Sequence, residues 1–177
     1  MHTKSILTLD FGSQYTQLIA RRVREVGVFC EIVPFSISTD EILRRQPAGL
    51  ILSGGPSSVY AESAPKLPKG LLEQIKCPIL GICYGLQALM HELGGGVFMA
   101  ASREFGLSRL TIERDESLLF EGLPRESSVW MSHGDHVERL PEDFVASART
   151  KQSLSAVESL SKRIYGCLLY TSDAADE

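Results

Sequence analysis

The sequence predicts an α/β domain with a doubly wound, mostly parallel sheet and helices on both faces, and three observations predict it. Segments that are apolar throughout, among them "SILTLDFG", "GLILSGGP" and "CPILGIC", alternate with segments of helical periodicity. Strands buried on both faces read as such continuous apolar runs, and strand–helix alternation favours a parallel sheet. From about Phe105 onward the pattern changes to shorter β-like pieces, with no internal repeat and no second domain in the 177 residues. That length suits one domain able to bury about two-thirds of its unfolded surface.

The first strand is expected over Ser5 to Leu9, ending at Asp10 and Gly12. Ser13 is placed to cap a helix over "QYTQLIARRVREVG", where Tyr15, Leu18, Ile19, Val23 and Val26 keep helical spacing and Gly27 ends the run. "VFCEIVPF" reads as a second strand. Ser38 followed by Glu41 forms a capping box for a short helix over "EILRRQ", stopped by Pro47. "GLILSGGP" is a third strand closed by a glycine pair. After a Pro- and Ser-rich loop come a helical "LLEQI", the strand "CPILGIC" and the helix "GLQALMHELGGG". The later β pieces are "LSRLTIE", "SSVWMSHG", "FVASAR" and "LSAVES". Right-handed crossovers in such a sheet place ligands at the carboxyl ends of the strands.

Composition narrows the classes of function. A hydrophobic fraction of 44% and a charged fraction of 23% are those of an ordinary globular protein. The net charge of -4 gives no basic footprint for nucleic acid. No run approaches the roughly 20 apolar residues of a membrane span, and the N-terminus carries no signal-peptide cleavage pattern. Cys30, Cys77, Cys83 and Cys167 form no CxxC pair and no zinc-like spacing. Reduced thiols in the cytoplasm are the expectation.

Gly81-Ile82-Cys83-Tyr84-Gly85 has the form of a nucleophile elbow. A sharp strand-to-helix turn crowds the backbone at both glycine positions and mounts the sulfur at a helix N-terminus, which favours thiolate. A buried structural cysteine is the plainer alternative. "SGGPSS", from Ser53 to Ser58, admits a phosphate loop, a simple turn, or an oxyanion donor. Pro56 argues against the first by removing an N–H. The Gly55 N–H, paired with that of Tyr84, would stabilise the oxyanion formed when Cys83 attacks a carbonyl. In "WMSHGDHV", His133 and His136 stand three apart but lack a third ligand for a metal, and either could serve as base to Cys83. His91 lies two turns along the helix after the elbow, and His2 is terminal.

Taken together, "LDFGSQYTQLIARRVRE", "LILSGGPSSVY", "GICYGLQAL", "REFG" and "VWMSHGDHV" resemble the glutaminase domain of the GMP synthase family, one of the triad (class I) glutamine amidotransferases. The likeness runs from about Ile6 to Gly166. It implies a flavodoxin-like fold in which Cys83 attacks the side-chain amide of glutamine and releases ammonia. Gly55 and Tyr84 would supply the oxyanion-hole N–H groups, and Gln87 with Ser132, His133 and Gly134 would hold the glutamine, which moves His133 from base to binding turn. The resemblance further implies an ATP-pyrophosphatase (synthetase) partner domain or subunit that aminates xanthosine monophosphate, with ATP and magnesium bound there and no cofactor or metal here.

The family's base and its orienting carboxylate lie in a His-Pro-Glu segment shortly after a Tyr-Gly like Tyr165-Gly166. Here the histidine position holds Tyr170 and the glutamate position Ser172. Tyrosine, with a pKa near 10, is no base at neutral pH. The expectation is therefore an amidotransferase domain over residues 1–166, incomplete at its end, with residues 167–177 an unrelated, artefactual tail. A natural inactive homologue or a non-catalytic binding module is the alternative. Glutaminase components serving anthranilate, aminodeoxychorismate or carbamoyl phosphate synthesis share the elbow, and "DFGSQYTQLIARRVRE" is the feature that discriminates against them.

Overall fold

The computed structural model describes residues 5–170, with side chains described outside residues 100–105, 132–133 and 169–170. His2 and Ser172 lie outside the described residues. The chain runs β1 (Ser5–Asp10), α1 (Thr16–Glu25), β2 (Phe29–Pro34), α2 (Thr39–Arg45), β3 (Gly49–Leu52), α3 (Leu71–Gln74), β4 (Ile79–Ile82) and α4 (Tyr84–Glu92). It continues through β5 (Gly96–Ile112), β6 (Glu126–Arg139), β7 (Val145–Arg149), β8 (Leu154–Ser159), β9 (Ile164–Cys167) and β10 (Leu169–Tyr170).

All strands join one sheet in the order β10-β6-β5-β7-β8-β9-β4-β3-β1-β2. β2, β1, β3, β4 and β9 are parallel neighbours; from β8 outward the pairing is antiparallel. The step from β1 to β2 runs one way along the sheet, whereas β2 to β3 and β3 to β4 run the other. Right-handed crossovers therefore put α1 on one face and α2 and α3 on the opposite face. The reversal lies between β1 and β3, the place where doubly wound sheets open a crevice at their carboxyl ends. The register pairs Leu9 with Leu52, Leu52 with Gly81, and Gly81 with Gly166. The residues just beyond these positions thus stand in one row along the sheet's upper edge.

β3 is buried at all four residues, as its unbroken apolar run requires, and Leu7, Leu9, Leu50 and Leu52 anchor the core. Each such side chain contributes about 1.5–3 kcal/mol through removal from water. α4 lies directly on the sheet with Leu86, Leu89 and Met90 fully buried. In β4 and β9 burial alternates: Ile79, Gly81, Ile164 and Gly166 are covered, while Leu80, Ile82, Tyr165 and Cys167 are half-buried on the other face.

Two local expectations change. Ser13 caps a turn rather than the helix: its hydroxyl accepts the Tyr15 N–H, and α1 begins at Thr16, whose own hydroxyl donates to Asp10 Oδ1 at 2.8 Å. "FVASAR" and "LSAVES" form the short strands β7 and β8 as expected, whereas "LSRLTIE" and "SSVWMSHG" belong to longer strands, β5 of 17 residues and β6 of 14. Register shifts between Gly96 and Val97 and between Met99 and Glu104, with Gly106 at φ 102°, interrupt the alternation by which a long strand is recognised. Ser38, by contrast, accepts the Glu41 N–H as the capping box requires.

Glu158, in β8, is fully buried although it carries a carboxylate. Ser117 donates to its Oε2 at 2.7 Å and Arg114 Nε lies 3.3 Å from Oε1, so the segment after β5 is strapped over β8. Removing a buried carboxylate strands its partners, and because the Arg114 side chain is 30% exposed the penalty falls below that of a fully buried pair. Glu158→Ala is expected to destabilise the chain by about 2 kcal/mol in urea unfolding; a change within a few tenths of zero would refute the strap.

Candidate active site

Cys83 sits where β4 gives way to α4, with φ 50° and ψ -109°, a left-handed backbone that a side chain seldom adopts. The geometry around it explains the flanking glycines. A Cβ on Gly81 would stand 2.7 Å from the Leu86 nitrogen, and one on Gly85 would run into the Leu52 carbonyl. The Cys83 N–H donates to the Cys167 carbonyl at 2.7 Å, and the Cys83 carbonyl accepts the Gln87 N–H, opening the helix. Cys83 is 5% exposed, at the N-terminal end of α4, so the elbow expected from the sequence is formed.

The segment after β3 leans on this elbow. Ser53 accepts the Gly85 N–H on its carbonyl, while its own N–H donates to Leu9. Its hydroxyl accepts the Phe11 N–H at 3.0 Å and donates to the Gly54 carbonyl at 3.0 Å. Gly55 packs against Phe11 so closely that a Cβ would stand 2.6 Å from the Phe11 carbonyl oxygen. The Phe11 ring lies 5.5 Å from that of Tyr84 and 6.0 Å from that of Phe35. Tyr84, the first residue of α4, donates its hydroxyl to the Pro65 carbonyl at 2.5 Å. The loops after β1 and β3 and the start of α4 thus form one packed unit. Tyr60 extends it, with its hydroxyl on the Val97 carbonyl and its ring edge-on to His91.

Gln87 is buried on α4 and its Nε2 donates to the Asp135 carbonyl at 3.0 Å. This ties the elbow helix to β6 at the residue that follows Ser132, His133 and Gly134; the Ser132 and His133 side chains lie outside the described residues. His136 shares a hydrogen bond with Glu138 at 2.7 Å. Among the described residues no group of His, Cys, Asp and Glu is arranged to hold a metal. Tyr170 pairs with Trp130 through the backbone of β10. Ser53 and Phe11 carry parts of this arrangement that sequence reasoning did not single out. The one available signal was a large apolar residue, Phe11, placed directly after a strand end.

Burial pushes the Tyr84 phenol above its ordinary value, and burial likewise raises the Cys77 thiol at the foot of β4. A group whose folded pKa is raised contributes its full stability below its unfolded pKa and loses it as pH rises through the folded value. For Tyr84 the loss begins above about pH 10. Unfolding free energy measured against pH is therefore expected to fall more steeply above that pH in the wild type than in Tyr84→Phe; parallel curves would show that the phenol is solvated.

Residues 7–167 match the family described as "Glutamine amidotransferase class-I". The chain is 50% identical over 165 residues to "GMP synthase [glutamine-hydrolyzing]" of Fusobacterium nucleatum, covering 93% of this chain and 32% of that protein. It is 52% identical over 167 residues to the protein of the same name from Aquifex aeolicus, covering 94% and 32%. The chain thus spans about a third of the length of these curated relatives. Among solved structures it superposes with TM-score 0.82 and 30% identity on a protein of Thermoplasma acidophilum described as one subunit of a GMP synthase, covering 96% of this chain and 85% of that one. A glutamine amidotransferase from Thermotoga maritima, at 20% identity and TM-score 0.73, shares the fold. No helix among the described residues is long and apolar enough to cross a membrane. By its sequence and its fold, this chain belongs to the class-I glutamine amidotransferase family.

Proposed function

We propose that this chain is the glutamine-hydrolysing part of a GMP synthase, and the observation that carries the reading is the left-handed elbow that mounts Cys83 beside the Ser53–Gly55 segment. Cys83 as thiolate attacks the side-chain carbonyl carbon of glutamine. The electron pair displaced onto oxygen is met by the N–H groups of Gly55 and Tyr84. As this intermediate collapses, the leaving nitrogen takes up a proton from solvent and departs as ammonia, and the glutamyl thioester left behind is converted by water to glutamate and free thiol. Gln87 and the Ser132–Gly134 segment form the polar wall that receives the amino acid. The roughly 50% identity to proteins named GMP synthase supports xanthosine monophosphate as the final acceptor, aminated by an ATP-pyrophosphatase partner that binds ATP and magnesium.

Turnover needs a base, and the position where the family resemblance puts a histidine holds Tyr170. In this reading the chain retains the pocket and the nucleophile while releasing little ammonia. The second reading, a glutamine-binding module without catalysis, draws on the same substitution.

The test pairs two assays on the whole chain. A chloromethyl ketone shaped like the glutamine side chain is expected to label Cys83 in preference to Cys30, Cys77 and Cys167, and Cys83→Ala is expected to abolish that labelling. Ammonia release from L-glutamine should stay close to the uncatalysed rate. Absence of selective labelling overturns the glutamine site. Ammonia release at an enzymatic rate that Cys83→Ala abolishes overturns the inactivity.

A further inference from the structure

We propose that Ser53 is a positioning residue that sets the direction of the Gly55 N–H. The inference rests on the glutaminase reading and deepens it, since that N–H is one of the two donors assigned to the oxyanion. Ser53 is completely buried and every polar group it has is engaged. Its N–H and carbonyl hold the neighbouring strand and the elbow through Leu9 and Gly85. Its hydroxyl has one proton to give. The Phe11 N–H is a donor, so the hydroxyl oxygen accepts from it, and the proton goes to the Gly54 carbonyl.

The consequence follows from the planarity of the peptide. The Gly54 carbonyl and the Gly55 N–H belong to one unit, and in a trans peptide they point in opposite directions. No cis peptide occurs among the described residues. Drawing the Gly54 carbonyl toward the Ser53 hydroxyl therefore fixes the Gly55 N–H on the opposite side of that peptide. Glycines flank this peptide on both sides, so its plane can rotate with little steric resistance. A rotated peptide would present a carbonyl where the oxyanion needs a donor. Burial of the hydroxyl matters here because water cannot take over the bond, and Phe11, held by two ring contacts, supplies the N–H that the hydroxyl oxygen accepts.

The experiment compares two probes on Cys83 of the full chain, read by peptide mass spectrometry. With the glutamine-shaped chloromethyl ketone, the thiolate adds to the ketone carbon to give an oxyanion; sulfur then bonds to the methylene carbon as chloride departs with its bonding electron pair, and the oxyanion re-forms the ketone as the first carbon–sulfur bond breaks. Iodoacetamide alkylates the same sulfur by displacing iodide, with no oxyanion. Ser53→Ala is expected to slow the ketone reaction about tenfold or more while leaving the iodoacetamide rate within about twofold. Should the alanine variant not fold, Ser53→Thr is compared with Ser53→Val, which has the same shape without the hydroxyl, and the threonine variant is expected to react faster with the ketone only. Equal ketone rates with and without the hydroxyl overturn the proposal, as does an equal loss with both probes. A wild-type chain showing no preference for the ketone overturns the glutaminase reading itself; a wild-type preference retained in Ser53→Ala overturns this inference alone.

Discussion

The site depends on how closely α4 approaches the sheet, and that approach exists because side chains are missing where the helix touches. Gly81 in β4, Gly85 in the first turn of α4 and Gly166 in β9 each face atoms that a Cβ would strike. With nothing between them, the backbone of α4 lies near enough for the Gly85 N–H to reach the Ser53 carbonyl. Leu86 then fills the space over Gly81 and Gly166. A helix at the usual separation set by side chains would leave Cys83 without its turn. The left-handed backbone at Cys83 is thus held by contacts on both sides of it, as a strained backbone must be.

Around this contact the other loops at the upper edge of the sheet act as buttresses. Parallel pairing brings the ends of β1, β3 and β4 level, so Phe11, Ser53 and Cys83 come together although they are distant in sequence. Two kinds of interaction then fix them. Phe11 stacks on Phe35 and meets Tyr84 at a tilt, apolar contacts indifferent to fine direction. The Ser53 and Tyr84 hydroxyls add direction, because a buried hydrogen bond is costly to leave unmade. Packing sets where the loops lie, and hydroxyls set which way their peptides face.

The antiparallel half of the sheet has a separate task. β5 and β6 form a long ribbon whose bulged middle carries Ser132 to Gly134 toward α4, where Gln87 fastens the following residue by its carbonyl. The ribbon's far end continues into the strap that Arg114 and Ser117 close over Glu158. The strands outside the parallel core are therefore joined to α4 through the Gln87 side-chain amide. Across the sheet, β10 sets the Tyr170 backbone against β6, in register with Trp130.

By itself the sequence determined the elements whose signals are local. The apolar runs became β1, β3 and β4, the Ser38 cap opened α2, and the spacing of Gly81 and Gly85 marked the elbow, because each is signalled by a contiguous stretch of a few residues. The family likeness was legible in the same way, in contiguous motifs around those turns. The length of β5 and β6 was not, since bulges break the alternation that identifies a strand. Nor was the burial of Glu158, whose partners come from a segment some forty positions earlier in the chain. Only the tertiary structure decided that Ser53 bonds to Phe11 across 42 residues and that Gln87 holds a carbonyl 48 residues away. Such bonds are made by strand order and register, which no single stretch of sequence contains.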